Sequence, residues 1–170
     1  KEAREKRLIE TVESSKKIIK SSILKDIIEN NDYDKSIFLN KDSKLFRAIN
    51  IKLDYENIEQ VYKKQDSITV AKVVDIANKI LETNVGEVIG CNKEFLNIFF
   101  LFNYSMEEAK SIRGILNTIL SKINEYLIGF ERYRATIGVG NEKSELNDIK
   151  ISINEAHYTI EKRLRIGINR

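Results

Sequence analysis

The most apolar stretch of the chain is EFLNIFFLF at 94–102. An apolar run of this length, bounded by turn-forming residues, is typical of a buried strand, so this segment predicts the central strand of a sheet. VGEVIGC at 85–91 predicts a neighbouring strand, and the polar step Asn92-Lys93 between the two predicts a tight turn. The other elements are therefore expected to cover this hairpin, because a sheet must bury its apolar surface against another layer.

The remaining elements follow from the period of the apolar residues. LFRAINIKLD at 45–54 and YRATIGVG at 133–140 predict two further strands, and 33–44 is expected to be irregular. Ser105 is the expected N-cap of a helix that ends at Gly129, and Gly167 is the expected cap of the last helix. Helical segments are predicted at 1–29, 56–64, 67–83, 105–128 and 145–165.

This order predicts an α+β fold rather than an alternating, doubly wound one. An N-terminal helix is followed by a split β-α-β (ferredoxin-like) antiparallel sheet of about four or five strands, with helices covering one face. We divide the chain into a connector helix at 1–29 and a folded domain at 30–170. Because the chain starts at Lys1 and its single methionine is Met106, we expect it to be part of a longer protein.

The first helix carries apolar residues at three- and four-residue steps. The positions that would form a seam with another helix are Leu8, Val12, Ile19 and Ile23. Serines at 14, 15, 21 and 22 interrupt this seam. Two interpretations are equally consistent with the pattern, namely a parallel helical dimer contact and a solitary connector helix.

The composition, the single cysteine and the single histidine give no indication of a catalytic site. The net charge is +3, from 29 basic and 26 acidic residues, which gives no argument for nucleic-acid binding. Cys91 is the only cysteine, so no internal disulfide can form and a reducing, cytoplasmic location is expected. We interpret Cys91 as a structural thiol and the single histidine, His157, as a surface residue. No metal, cofactor or catalytic residue is predicted, and no membrane contact is expected.

The last forty residues carry a specific resemblance. The strand ends in Ile137-Gly138-Val139-Gly140, the following helix contains Ser152, Glu155 and Ala156, and Gly167 and Asn169 come after it. This series resembles the end of the middle domain of AraC-type two-component response regulators. The rest of the chain is similar to that domain in layout, but its motifs are less specific.

That middle domain is similar in layout to the GGDEF family of diguanylate cyclases, which provides a test for catalysis. The cyclases hold divalent metal ions with a carboxylate near the end of the first strand and another in the GGDEF turn. Alignment with this pattern places Lys52 and Asp54 at the two acidic positions near the end of the first strand. It places Cys91-Asn92-Lys93-Glu94-Phe95 at the position of GGDEF. Lysines at 52 and 93 would repel a metal ion, so the resemblance implies a degenerate, non-catalytic domain.

The resemblance implies a signal-coupling and self-association domain, expected to form a homodimer. A receiver domain of the same chain, phosphorylated by a cognate sensor kinase, would precede it. An AraC-type helix-turn-helix DNA-binding domain would follow, so this fragment itself would not contact nucleic acid.

An alternative hypothesis is a ligand-sensing domain that binds a small molecule without turnover. In that case Lys52, Asp54, Lys93 and Glu94 would surround a vestigial nucleotide cleft, because lysines are suited to binding phosphate.

Overall fold

The computed structural model describes residues 1–29, 45–55, 63–94, 96–130 and 133–166. Within these residues the α-helices are α1 (Glu2–Glu29), α2 (Lys63–Asn84), α3 (Ile112–Leu127) and α4 (Ile149–Ile166). The β-strands are β1 (Leu45–Tyr55), β2 (Val88–Glu94), β3 (Asn97–Tyr104) and β4 (Tyr133–Val139). Short 3-10 turns at Glu108–Ser111 and Leu146–Asp148 precede α3 and α4.

The described strands form one four-stranded sheet in the order β2-β3-β1-β4, and all neighbours are antiparallel. This order, with α2 connecting β1 to β2 and α3 connecting β3 to β4, is the split β-α-β arrangement. The α+β class with an N-terminal helix is confirmed. The apolar run at 94–102 supplies most of β3, which lies inside the sheet beside β1.

Both faces of the sheet are covered, so the prediction that helices cover one face is wrong. Ile49 and Ile51 of β1 belong to a core cluster under α2 and α3, whereas Phe46 and Ala48 belong to a second cluster with α1 and α4. Successive side chains of a strand point to opposite faces, and β1 is apolar on both for much of its length. A second helical layer is therefore required, and α1 and α4 provide it.

The β2–β3 hairpin turns later than the sequence predicted. Asn92 pairs with Ile98 and Glu94 with Asn97, with a bulge between Asn92 and Glu94, so Asn92-Lys93 is strand rather than turn. A two-residue turn at Asn92-Lys93 would have paired Ile89 with Leu96. The observed register pairs Ile89 with Leu101, and both side chains join the second cluster. Leu96, with φ of 61°, closes the turn in the left-handed region.

Two helix starts are informative. α2 begins at Lys63, before the predicted 67, and the preceding residues of the helix expected at 56–64 lie outside the described chain. Ser105 is confirmed as a cap: its Oγ accepts from the Glu108 backbone N–H at 3.2 Å, and its own N–H donates to the Glu108 carboxylate at 2.8 Å. This is a capping box. The segment 33–44 and Gly167 also lie outside the described residues.

Candidate functional site

The C-terminal end of α1 is held firmly by the domain. Leu24 and Ile27 are fully buried in the second cluster, beside Ile89, Phe99 and Leu101. The ammonium group of Lys150 in α4 donates to the backbone carbonyls of Ile27, at 2.7 Å, and Ile28. A cation at this end also complements the negative end of the helix dipole. The last two turns of α1 are thus part of the folded core.

Further toward its N-terminus, α1 contacts the domain through lysines. Lys17 Nζ lies 3.5 Å from the Glu82 carboxylate of α2, and Lys20 Nζ lies 3.5 Å from the carboxylate of Glu87, which precedes β2. Both pairs are partly exposed, and such pairs typically contribute less than about 1 kcal/mol each. They therefore orient this part of α1 rather than hold it tightly.

Three of the four predicted self-association residues lie in solvent. Leu8, Val12 and Ile19 are 67%, 48% and 58% exposed, and the neighbouring Ile9 is also exposed. The fourth, Ile23, is half-buried and packs against the second cluster, because the helix has reached the sheet by that turn. We call Leu8, Val12 and Ile19 the apolar stripe.

The apolar stripe and the domain-facing side of α1 point in different directions. At about 100° of rotation per residue, Leu8, Val12 and Ile19 fall within roughly 40° of one another. Lys17, Lys20 and Leu24, which contact the domain, are centred roughly 130° away from that stripe. The contacts of α1 with the domain therefore leave the stripe free of any contact that would bury it.

The residues of the predicted vestigial cleft are only partly brought together. Lys52 Nζ lies 3.7 Å from the Asp54 carboxylate on the same strand. Lys52 pairs with Asn97, which in turn pairs with Glu94, so the backbones of Lys52 and Glu94 are two strands, or about 10 Å, apart. Lys93 lies at the bulge of β2, and the structure does not describe the side chains of Lys93 and Glu94.

Two clefts among the described residues lie away from Lys52 and Asp54. Two clefts, of about 700 and 500 Å³, run along the outer side of β2 between α1 and α2, and neither Lys52 nor Asp54 lines them. Within the described residues, no group of three or more His, Cys, Asp or Glu side chains is placed to hold a metal ion.

The glycines of the resemblance have a packing role. A Cβ on Gly138 would lie 2.1 Å from the Ala156 carbonyl oxygen, and a Cβ on Gly140 would lie 2.0 Å from the Ser152 carbonyl oxygen. The glycines thus let α4 lie directly on the backbone of β4. Ser152 joins the same corner, since its Oγ accepts from the Ala48 N–H at 3.0 Å and donates to the Asn141 carbonyl at 2.8 Å. We call this set the β4–α4 corner.

Glu155 completes the β4–α4 corner electrostatically. Its carboxylate accepts from the Asn141 backbone N–H at 2.8 Å and from Lys143 Nζ at 3.0 Å. Burial acts to raise the pKa of Glu155, but these hydrogen bonds outweigh burial and hold the pKa below its usual value. The remaining motif positions, Gly167 and Asn169, lie outside the described residues.

The single histidine and cysteine occupy ordinary positions. His157 is exposed to solvent, and its Nε2 atom lies 3.2 Å from the Glu161 carboxylate. Its Nδ1 atom lies 3.3 Å from the Nδ2 atom of buried Asn50. Cys91 is 5% exposed and packs in the second cluster. Both placements agree with the interpretations made from sequence.

One polar centre was not predicted. Asp66, in the first turn of α2, is almost fully buried and accepts hydrogen bonds of 2.5 Å from the phenols of Tyr55 and Tyr133. Burial and the bond to Asp66 raise the pKa of Tyr55. The centre ties β1, β4 and α2 together at one end of the sheet. Tyr55, Asp66 and Tyr133 are far apart in the sequence, so no local motif predicts this polar centre.

Comparisons of the sequence with models of known families and with curated proteins find no match. Among the described helices, none combines the length and apolar character needed to cross a lipid bilayer.

Proposed function

We propose that this chain is a non-catalytic signal-coupling and self-association domain of a cytoplasmic two-component response regulator. It connects a phosphorylated receiver domain to an AraC-type helix-turn-helix DNA-binding domain, both outside this fragment. α1 carries the signal, because phosphorylation of the receiver by its sensor kinase biases the pairing of α1 with a second copy. The DNA contacts belong to the other domain.

The observation that carries this proposal is the division of α1 into two parts. The C-terminal part is buried in the domain, while the N-terminal part presents the apolar stripe to solvent. Exposed apolar residues at helical spacing, on a helix already fixed at one end, favour pairing with a second helix. A helix that only connected two domains would have no need of a stripe facing away from the domain.

The proposed lack of catalysis has support from Lys52. The resemblance places a metal-binding carboxylate at this position, but the chain has an ammonium group there, and that group pairs with the neighbouring Asp54. The carboxylate of Asp54 is therefore partly neutralised by a fixed cation, which weakens its ability to attract a divalent metal.

Sedimentation of the full chain over a range of concentrations tests the proposal. We expect wild type to dimerise and Ile19→Asp to raise the dissociation constant at least tenfold, since each copy loses a buried apolar side chain worth about 1.5–3 kcal/mol. Ile68→Asp is the matched control, because Ile68 lies on α2 and is 60% exposed, close to the 58% of Ile19. A monomer at all concentrations, or equal loss in both variants, would remove α1 pairing from the function.

A further inference from the structure

Within the described part of the chain, the outer edge of β2 is an open strand edge. β2 is the first strand of the sheet and pairs only with β3 among the described strands. The Asn103 N–H donates to the Glu87 carbonyl at 3.1 Å. Because hydrogen-bonded positions alternate along an antiparallel pair, Val88 and Gly90 direct their N–H and C=O groups away from β3. Among the residues that the structure describes, no group makes a hydrogen bond to these outward groups.

This edge forms the floor of a groove. The larger of the two clefts, of about 700 Å³, is lined by the consecutive residues Val88, Ile89 and Gly90. Lining by consecutive residues places the cleft beside the backbone rather than over one face of the sheet, since neighbouring side chains point to opposite faces. α1 forms one wall and α2 the other, and the smaller cleft continues the groove past Gly90 to Leu96.

The α1 wall has a net positive charge. It contributes Lys16, Lys17 and Lys20 against one acid, Glu13, and among the described residues no acid pairs with Lys16. The ion pair between Lys17 and Glu82 bridges the two walls. It is largely exposed and worth little, so Lys17 can exchange Glu82 for another carboxylate at small cost. The apolar part of the lining comes from four side chains, those of Ile18, Val74, Val88 and Ile89.

We propose that this groove binds an extended acidic segment of a partner protein, which adds to β2 as a fifth strand. The outward groups of Val88 and Gly90 would supply the backbone hydrogen bonds, the lysines would bind the acidic side chains, and the apolar floor would take the alternate residues. This binding site is separate from the apolar stripe and does not depend on the coupling function proposed above.

The test uses the full chain, labelled with ¹⁵N, and an end-blocked hexapeptide of alternating glutamate and valine. We expect the amide resonances of Val88 and Gly90 to shift and their hydrogen exchange to slow at least tenfold, because these groups become hydrogen-bonded. The same peptide with its alternate backbone nitrogens methylated should bind at least tenfold more weakly. Lys16→Glu should weaken binding of the unmodified peptide by a similar factor, whereas Lys6→Glu, on the same helix outside the groove, should not.

Several results would overturn the proposal. These are equal binding of the methylated peptide, equal binding of an alternating lysine–valine peptide, and absence of shifts at Val88 and Gly90 at millimolar peptide. Shifts confined to Leu8, Val12 and Ile19 would place the peptide on the apolar stripe instead. Protection of Val88 and Gly90 that grows with protein concentration alone would assign the edge to a second copy.

Discussion

At the scale of single residues, the β4–α4 corner explains why glycine stands near the end of β4, at 138, and directly after it, at 140. Gly138 and Gly140 allow the backbone of α4 to approach β4 at a distance that excludes a methyl group. Ser152 then reaches both β1 and the loop after β4. One hydrogen bond accepted and one donated by this buried hydroxyl thus fix the position of α4 against β1 and against the loop after β4.

Gly138→Ala should destabilise the domain. The added Cβ would lie 2.1 Å from a backbone oxygen of α4, which cannot move without shifting the helix. We expect a loss of about 1–3 kcal/mol in the free energy of unfolding, measured by urea denaturation. Gly114→Ala is the control: its Cβ meets nothing within 4 Å, and alanine in an exposed helix should add about 0.5–1 kcal/mol. Equal stability of wild type and Gly138→Ala would mean that α4 does not contact the strand so closely.

The ionisation of Glu155 should make the free energy of unfolding depend on pH. Its lowered pKa means that the folded state favours the charged carboxylate, so this contribution is present above the ordinary pKa of about 4.3. The contribution is lost as the pH falls through the lowered value. We therefore expect Glu155→Gln to be less stable than wild type at neutral pH, and the difference to shrink as the pH falls below the ordinary pKa of the carboxyl group. Glu107→Gln, at an exposed position, should show no such convergence.

The corner also shows what sequence could and could not supply. The motif containing Gly138, Gly140, Ser152 and Glu155 was visible as a pattern, but the reason for it lies in contacts between β4 and α4 that span more than ten residues. The Asp66 centre was missed because Tyr55 and Tyr133 reach Asp66 only through tertiary folding. Ile23 was assigned to the seam because periodicity alone does not tell where a helix meets the sheet.

At the scale of elements, periodicity located each described helix and strand, while boundaries and register depended on packing. The shift of the β2–β3 turn is the clearest case, because the sequence Asn92-Lys93 has turn-forming character. The pairing of Ile89 with Leu101 in the second cluster outweighs that local preference. The helical layer formed by α1 and α4 was not predicted for the same reason. The apolar residues of β1 belong to two opposite faces of the sheet, and the sequence pattern alone did not divide them between those faces.

The start of the third helical segment offers a test of local capping. Ser105 and Glu108 exchange hydrogen bonds, whereas Ser111, which directly precedes α3, makes no side-chain cap bond. Ser105→Ala should therefore lower the free energy of unfolding by about 0.5–2 kcal/mol, and Ser111→Ala should change it little. Thermal unfolding followed by circular dichroism compares the two. A larger effect at Ser111 would show that the helix effectively begins at α3 rather than at Ser105.

At the scale of the whole molecule, α1 belongs to the folded domain as well as extending from it. Leu24 and Ile27 cover Ile89, Cys91 and Phe99, so the second cluster is incomplete without the last turns of α1. The predicted domain boundary between residues 29 and 30 therefore separates residues that share one hydrophobic core. Truncation experiments on this chain must take that shared core into account.

Removal of residues 1–29 should expose Cys91, whereas removal of residues 1–12 should not. The longer deletion takes away Leu24 and Ile27, and the shorter one leaves every buried contact of α1 intact. The rate at which Cys91 reacts with a thiol reagent measures this directly, because Cys91 is the only cysteine and is 5% exposed. Slow labelling in both truncated chains would mean that the strands bury Cys91 without help from α1.

The C-terminal part of α1 is fixed in the core and its N-terminal part is exposed, so a small rotation at the buried part displaces the exposed part. From Leu24 to Leu8 the helix axis runs for about 24 Å at 1.5 Å per residue. A tilt of only about 10° at the buried end would move Leu8 sideways by roughly 4 Å, almost half of the about 8–10 Å that separates the axes of two packed helices. A displacement of that size at the tip brings a different set of side chains to the point where a neighbouring helix would meet it. The rigidity of α1 would thus convert a small movement in the core into a change in helix–helix contact far from it.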